Sequence, residues 1–188
     1  MDTYYIKDFE TKSQEIIDRI NKGDVFVYPT DTIYGIGCDA TNPQSVERIR
    51  EIKQRFQGPF SVIAPNKEWI KNNCKTDTKI NFWIKKLPGP YTFILNLKNE
   101  NTVTKGVEKD MKLGIRILNH KIMEIFEKTK KPIITTSVNI STMPPLKDPK
   151  KISQFIEKNI DFIINQGLIN SEPSNIIDLT QEKPNIIR

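Results

Sequence analysis

The stretch VFVYPTDTIYGIGCD, Val25 to Asp39, decides how this chain is read. It starts as an apolar β run, Val25 to Tyr28, and is stopped by Pro29. Three small oxygen-bearing residues follow, Thr30, Asp31 and Thr32, and then two glycines, Gly35 and Gly37. A hydrophobic strand opening into hydroxyls, a carboxylate and glycines is a common way for an α/β protein to build the lip of a small-molecule site. The strand fixes position, the polar groups donate or accept, and glycine lets a ligand approach the backbone. Taken alone, the segment is equally consistent with a strand, a proline turn and a second strand that bind nothing.

On either side of this segment, strand and helix signals alternate. Glu10 to Asn21 carries Ile16, Ile17 and Ile20 on one face and closes on Gly23, which predicts an amphipathic helix with a glycine cap. Asn42-Pro43 reads as the cap and first residue of a helix to about Lys53, with Val46, Ile49 and Ile52 inward. Phe60 to Ala64 is a short apolar strand, followed by helices over Lys67–Asn73 and Asp77–Lys85. Strands are expected over Tyr91–Leu97, Leu113–Leu118, Pro132–Thr136, Asp161–Asn165, Asn175–Leu179 and Asn185–Arg188. Asn119 is expected to cap a helix to about Lys130, and Asp148-Pro149 to start one through Lys158. Lys98–Lys112 and Ser141–Lys147 read as surface loops. The expected architecture is one domain over residues 1–188, a mixed α/β sheet flanked by helices.

Composition narrows the class. The chain has 188 residues, 37% hydrophobic and 28% charged, with a net charge of +6. This describes a soluble, cytoplasmic globular protein; no run approaches the ~18 apolar residues of a membrane span. The N-terminus lacks the pattern of a secretory signal. Cys38 and Cys74 have no metal-ligand spacing, and His120 is the one histidine, so no mechanism needing a histidine pair applies. The basic balance permits a nucleotide or nucleic acid as partner without requiring one.

Several weaker signals could carry chemistry. Lys53 and Arg55 lie at a helix C-terminus, where cations are favoured by the dipole, but together they could also grip one anion. Ser137 and Asn139 follow an apolar strand, either as a simple turn or as a hydroxyl and amide directed into a ligand crevice. Arg116 is a charge inside the strand Leu113–Leu118; it is either solvent-facing or aimed at a carboxylate. Ser174 stands beside another strand. There is no P-loop, GxGxxG, HExxH or Ser/His/Asp set, hence no evident nucleophile. Cations and hydroxyls that hold anions remain.

Together the motifs resemble the YrdC/TsaC family of threonylcarbamoyl-AMP synthases along nearly the whole chain. They run from Tyr28-Pro29-Thr30-Asp31-Thr32-Ile33-Tyr34-Gly35 through K-x-R (Lys53, Arg55), Pro-Gly-Pro-x-Thr (Pro88–Thr92), G-x-R (Gly114–Arg116) and S-x-N (Ser137, Asn139). P-S-x-x-x-D (Pro173–Asp178) completes the series. The resemblance implies an open twisted mixed sheet with flanking helices and a basic concave face. It implies a nucleotidyltransferase that joins L-threonine, bicarbonate and ATP into threonylcarbamoyl-AMP, releasing pyrophosphate, as the first step of tRNA t6A modification. Thr32, Arg116, Ser137 and Ser174 correspond to threonine-binding positions; Lys53, Arg55, Asn139 and Arg188 to nucleotide-binding ones. The catalytic set is Lys53, Arg55, Ser137 and Asn139. Mg2+ is expected with ATP, held by phosphates and water rather than by a protein metal site. A threonylcarbamoyl transferase complex is the expected downstream partner, with tRNA, including double-stranded RNA binding, as a further candidate and no membrane role.

The chain departs from the family pattern in places. Phe56 replaces a proline after K-x-R, and the loop Phe56–Pro59 is one residue short. Ile63 stands where some members carry histidine, and Thr142 where S-A-N-x-S-G has glycine. A short form without the C-terminal domain of longer members is expected. The competing readings are an RNA-binding module using the basic concavity, and a paralogue that does not make the adenylate.

Overall fold

The structure is a computed structural model that describes residues 1–140 and 143–188. The loop substitution at Thr142 lies outside the described residues. Ten strands form one mixed sheet: β1 (Asp2–Tyr5), β2 (Phe26–Tyr28), β3 (Gly35–Gly37), β4 (Ser61–Ile63), β5 (Tyr91–Asn96), β6 (Lys112–Arg116), β7 (Ile133–Ser137), β8 (Phe162–Asn165), β9 (Asn175–Asp178) and β10 (Asn185–Ile186). Their order across the sheet is β1-β8-β2-β3-β7-β4-β6-β5-β9-β10. Parallel pairs (β1 with β8, β2 with β8, β4 with β6, β5 with β9) are interspersed with antiparallel ones. The expected mixed α/β sheet is the one observed.

Among the described residues six α-helices flank it: α1 (Phe9–Lys22), α2 (Pro43–Lys53), α3 (Lys67–Asn73), α4 (Thr78–Ile84), α5 (Met123–Thr129) and α6 (Gln154–Asn159). The caps of α1 and α2 are those the sequence suggests. Gly23 ends α1 at φ 97°, a left-handed conformation glycine adopts without strain. The Asn42 side chain accepts from the amides of Gln44 and Ser45. α1 and α5 pack together. Beneath them Phe26 and Phe162 stack at 4.9 Å between centroids, and Phe126 meets the Tyr28 ring edge-on at 5.1 Å. Such aromatic contacts add to the stabilisation from burying their area.

Three expectations need correction. Asn119 does not cap a helix; its amide donates to Asp31 Oδ2 at 3.2 Å, and α5 begins only at Met123. The helix expected from Asp148 to Lys158 is two pieces: a 3-10 turn at Pro149–Lys151, then α6, whose cap Ser153 accepts from the Ile156 amide. Ser153 is itself an N-cap residue, so the break has a local cause. β1 went unanticipated because only Tyr4 of its four residues is buried; its partner β8 is far away in sequence.

Candidate functional site

One face of the sheet borders a cavity of about 780 Å3. A row of cross-strand neighbours forms its floor: Thr135 on β7 faces Ser61 on β4, Ser61 faces Gly114 on β6, Gly114 faces Ile94 on β5, and Ile94 faces Asp178 on β9. All five line the cavity. A Cβ at Gly114 would lie 2.5 Å from Ser61 Oγ, so the glycine keeps this floor open.

Thr32, Arg116 and Ser174 gather at one side. Arg116 is 6% exposed, at the end of β6. Its Nη2 donates to Asp31 Oδ1 at 2.7 Å and to Thr32 Oγ1 at 3.3 Å. Asp31 is fixed by the Asn119 amide on its other oxygen. Thr32 lies 3.0 Å, oxygen to oxygen, from the hydroxyl of Thr30, which also accepts from the amides of Thr32 and Ile33. Ser174 Oγ is 2.8 Å from Thr92 Oγ1, and Arg188 Nε donates to the Ser174 carbonyl at 3.1 Å. Burial pushes the Arg116 guanidinium below its ordinary range while Asp31 pulls the other way. Its buried Nε has no hydrogen-bond partner among the described residues. Arg116 itself lines the cavity.

Arg55 and Ser137 line the other side. Arg55 leaves α2 just beyond Gln54, whose left-handed φ of 50° turns the chain. Its Nη2 donates to the Pro59 carbonyl at 2.8 Å, and its guanidinium lies over the Phe60 ring at 5.3 Å. Arg50 braces this loop from behind, donating to the carbonyls of Arg55, Gly58 and Gly106. Burial, aided by Arg50, pushes the Arg55 guanidinium downward. Lys53 and Asn139 do not line the cavity. They stand behind Ser137, with Lys53 Nζ 2.7 Å from Asn139 Oδ1 and Ser137 Oγ donating to that same oxygen at 2.5 Å. Burial, aided by Arg55, pushes the Lys53 ammonium down to about 8.

The structure therefore brings Thr32, Arg116, Ser174, Arg188, Arg55 and Ser137 to one cavity, with Lys53 and Asn139 one layer back. Sequence reasoning passed over Ser61, Thr92, Lys109 and Lys112 as lining residues. For Ser61, Thr92 and Lys112 the period-two alternation of their strands was an available signal. Gly35 lines the cavity, as ligand clearance requires, whereas Gly37 does not and needs a different explanation. A Cβ on Gly37 would sit 2.4 Å from the Ile134 carbonyl and 2.8 Å from Tyr28 Cε1, and one on Gly35 would meet the Tyr28 ring at 3.1 Å. Both make room for Tyr28, whose hydroxyl donates to Ile134 O. Ile63 is fully buried in β4, away from the cavity lining, and Phe56 is exposed.

Among the described residues no three His, Cys, Asp or Glu side chains converge on a cation position, and no helix is long and apolar enough to cross a membrane. Among the described residues two carboxylates line the cavity: Asp178 accepts from the amide and hydroxyl of Thr180, and Asp110 is exposed. Asp31, paired with Arg116, is not part of the lining.

Comparison with known proteins places this architecture. The family model for Sua5, YciO and YrdC, described as "Telomere recombination", matches residues 18–188. The uncharacterized protein YciO of Escherichia coli (strain K12) is 30% identical over 179 residues, 93% of this chain and 86% of YciO. The crystal structure of E. coli YciO superposes with a TM-score of 0.85 at 26% identity, covering 100% of this chain and 95% of that one. The threonylcarbamoyl-AMP synthase of Photobacterium profundum is 27% identical over 158 residues, 80% of this chain and 84% of that protein. P. abyssi Sua5, crystallised with L-threonine, matches with a TM-score of 0.86 at 26% identity; the match covers 100% of this chain but 56% of Sua5. This chain thus spans little more than half the length of that Sua5. By sequence over nearly its whole length and by fold, it belongs to the Sua5/YciO/YrdC family.

Proposed function

We propose that the protein is an L-threonylcarbamoyladenylate synthase, forming threonylcarbamoyl-AMP and pyrophosphate from L-threonine, bicarbonate or CO2, and ATP. The carrying observation is Arg116: a buried guanidinium, anchored on one edge by Asp31, whose Nε has no partner among the described residues and which lines the cavity beside hydroxyl-bearing Thr32 and Ser174. In this reading the part of the guanidinium that lines the cavity takes an amino-acid carboxylate. Two relatives support the same ligand, one named a threonylcarbamoyl-AMP synthase and one crystallised with L-threonine.

In this reading the threonine amine adds to CO2, giving a carbamate and releasing a proton to solvent. A carbamate oxygen then attacks the α-phosphorus, and the bond from that phosphorus to the pyrophosphate oxygen breaks. Arg116, Thr32 and Ser174 hold the threonine. Ser137 faces the reacting centre, and Arg55 and Arg188 meet the phosphates, with Lys53 and Asn139 supporting that end. Mg2+ would come with the nucleotide, held by phosphate oxygens and water, and would neutralise phosphate charge. No covalent enzyme intermediate is required. Orientation of two substrates and neutralisation of phosphate charge account for the acceleration. In the same reading, the product passes to a threonylcarbamoyl transferase acting on tRNA.

The test is pyrophosphate release from ATP by the purified protein, with L-threonine and bicarbonate each supplied or withheld. Release that needs both supports the reading; release indifferent to threonine rejects it. Salt-sensitive tRNA binding with no ATP chemistry would favour the RNA-binding module instead.

A further inference from the structure

The last residue of α2, Lys53, is 3% exposed and surrounded by oxygen. Its Nζ lies 2.5 Å from the Ser137 carbonyl, 2.7 Å from Asn139 Oδ1, 3.0 Å from the Asn139 carbonyl and 3.4 Å from Ser137 Oγ. An ammonium has three protons, so four acceptors exhaust its donor capacity. All four belong to Ser137, the last residue of β7, and to Asn139 in the turn that follows, whose amide also donates to Ser137 O at 3.1 Å. Asn139 is tied into the same network: Oδ1 accepts from Lys53 and Ser137, and Nδ2 donates one of its two protons to the Met143 carbonyl. No carboxylate forms an ion pair with Lys53 among the described residues.

We infer that Lys53 is a positioning residue, the clasp of the Ser137–Asn139 turn, and not a ligand of the nucleotide phosphates. The clasp orients Ser137, whose hydroxyl proton is committed to Asn139 Oδ1 and which lines the cavity. Arg55 and Arg188, with Lys109 and Lys112, are the lining cations left to meet the phosphates. This refines the roles within the proposed reaction and rests on that reading for its activity readout only.

The experiment measures affinity for Mg2+-loaded α,β-methylene-ATP by calorimetry alongside turnover. Lys53→Met is expected to keep the nucleotide Kd within about 3-fold of wild type while turnover falls at least ~100-fold; Arg55→Ala should weaken the Kd at least ~10-fold. Lys53→Met losing as much affinity as Arg55→Ala overturns the inference. Should that variant not fold, NMR of wild-type protein with 15N,13C-lysine decides. The clasp predicts a solvent-protected Lys53 ammonium signal that stays in place when the analogue is added; a fast-exchanging or shifted signal overturns it. If the wild type releases no threonine-dependent pyrophosphate, the proposed reaction fails, yet the protection of Lys53 in the free protein still decides the clasp.

Discussion

The buried pair Asp31–Arg116 gives the sharpest test of how the site is built. Its side chains are 10% and 7% exposed and separated by 2.7 Å. Asp31→Ala removes the only carboxylate paired with Arg116 among the described residues, and also the acceptor of the Asn119 amide. Removing one partner of a buried pair typically costs about 3–5 kcal/mol, because the other charge is left uncompensated. Arg116 borders the cavity, where water can reach part of it, so the low end, about 3 kcal/mol, is expected. For a domain of this size that lowers Tm by about 6–12 °C. Urea and thermal unfolding of four proteins would complete the cycle: wild type, Asp31→Ala, Arg116→Met and the double variant. Because a hydrophobic replacement removes the stranded charge, the double variant should be more stable than Asp31→Ala alone. A loss below about 1 kcal/mol in Asp31→Ala, or costs that simply add in the double variant, would show that the two charges do not depend on each other.

Changes in pH, packing and substrate contacts give further tests. The Lys53 ammonium, pushed down to about 8 by burial, binds fewer protons in the folded than in the unfolded chain between about pH 8 and its ordinary range near 10.5. Its contribution to stability therefore rises with pH across that window, as a buried charge is relieved. Turnover should fall through the same interval, since the neutral amine has one donor fewer for the turn; a kcat flat from about pH 7 to 10 would contradict this. Gly37→Ala forces a Cβ to within 2.4 Å of a backbone carbonyl and should cost at least about 2 kcal/mol in urea unfolding, with no loss as the contrary result. Thr32→Val, which keeps shape but removes the hydroxyl near Arg116 Nη2, should raise the KM for L-threonine about 10-fold and leave that for ATP unchanged. Equal effects on both would place Thr32 elsewhere in the reaction.

Much of the fold was readable because its signals are local. Asn42-Pro43 and Gly23 mark helix ends through their own side-chain and backbone chemistry, and the apolar runs of β2, β7 and β8 are largely buried. What was not readable depends on distant partners. β1 is a strand because β8 stands beside it, and Asn119 fails as a cap because its amide meets Asp31. The site shows the same division. Lys53, Arg55, Ser137 and Asn139 could be picked out by type and spacing, but not that Lys53 and Asn139 would turn inward on each other. Gly37 is needed for the same kind of reason: the Tyr28 ring and the Ile134 carbonyl it accommodates lie on neighbouring strands.

In the proposed reaction one cavity joins an amino acid, a one-carbon unit and a nucleotide. Its most direct test is mass spectrometry of the product formed from ATP, L-threonine and 13C-bicarbonate. The expected product is threonylcarbamoyl-AMP carrying the 13C label, formed together with pyrophosphate and absent when threonine is withheld. An unlabelled adenylate, or nucleotide turnover without any threonine-containing product, would contradict it.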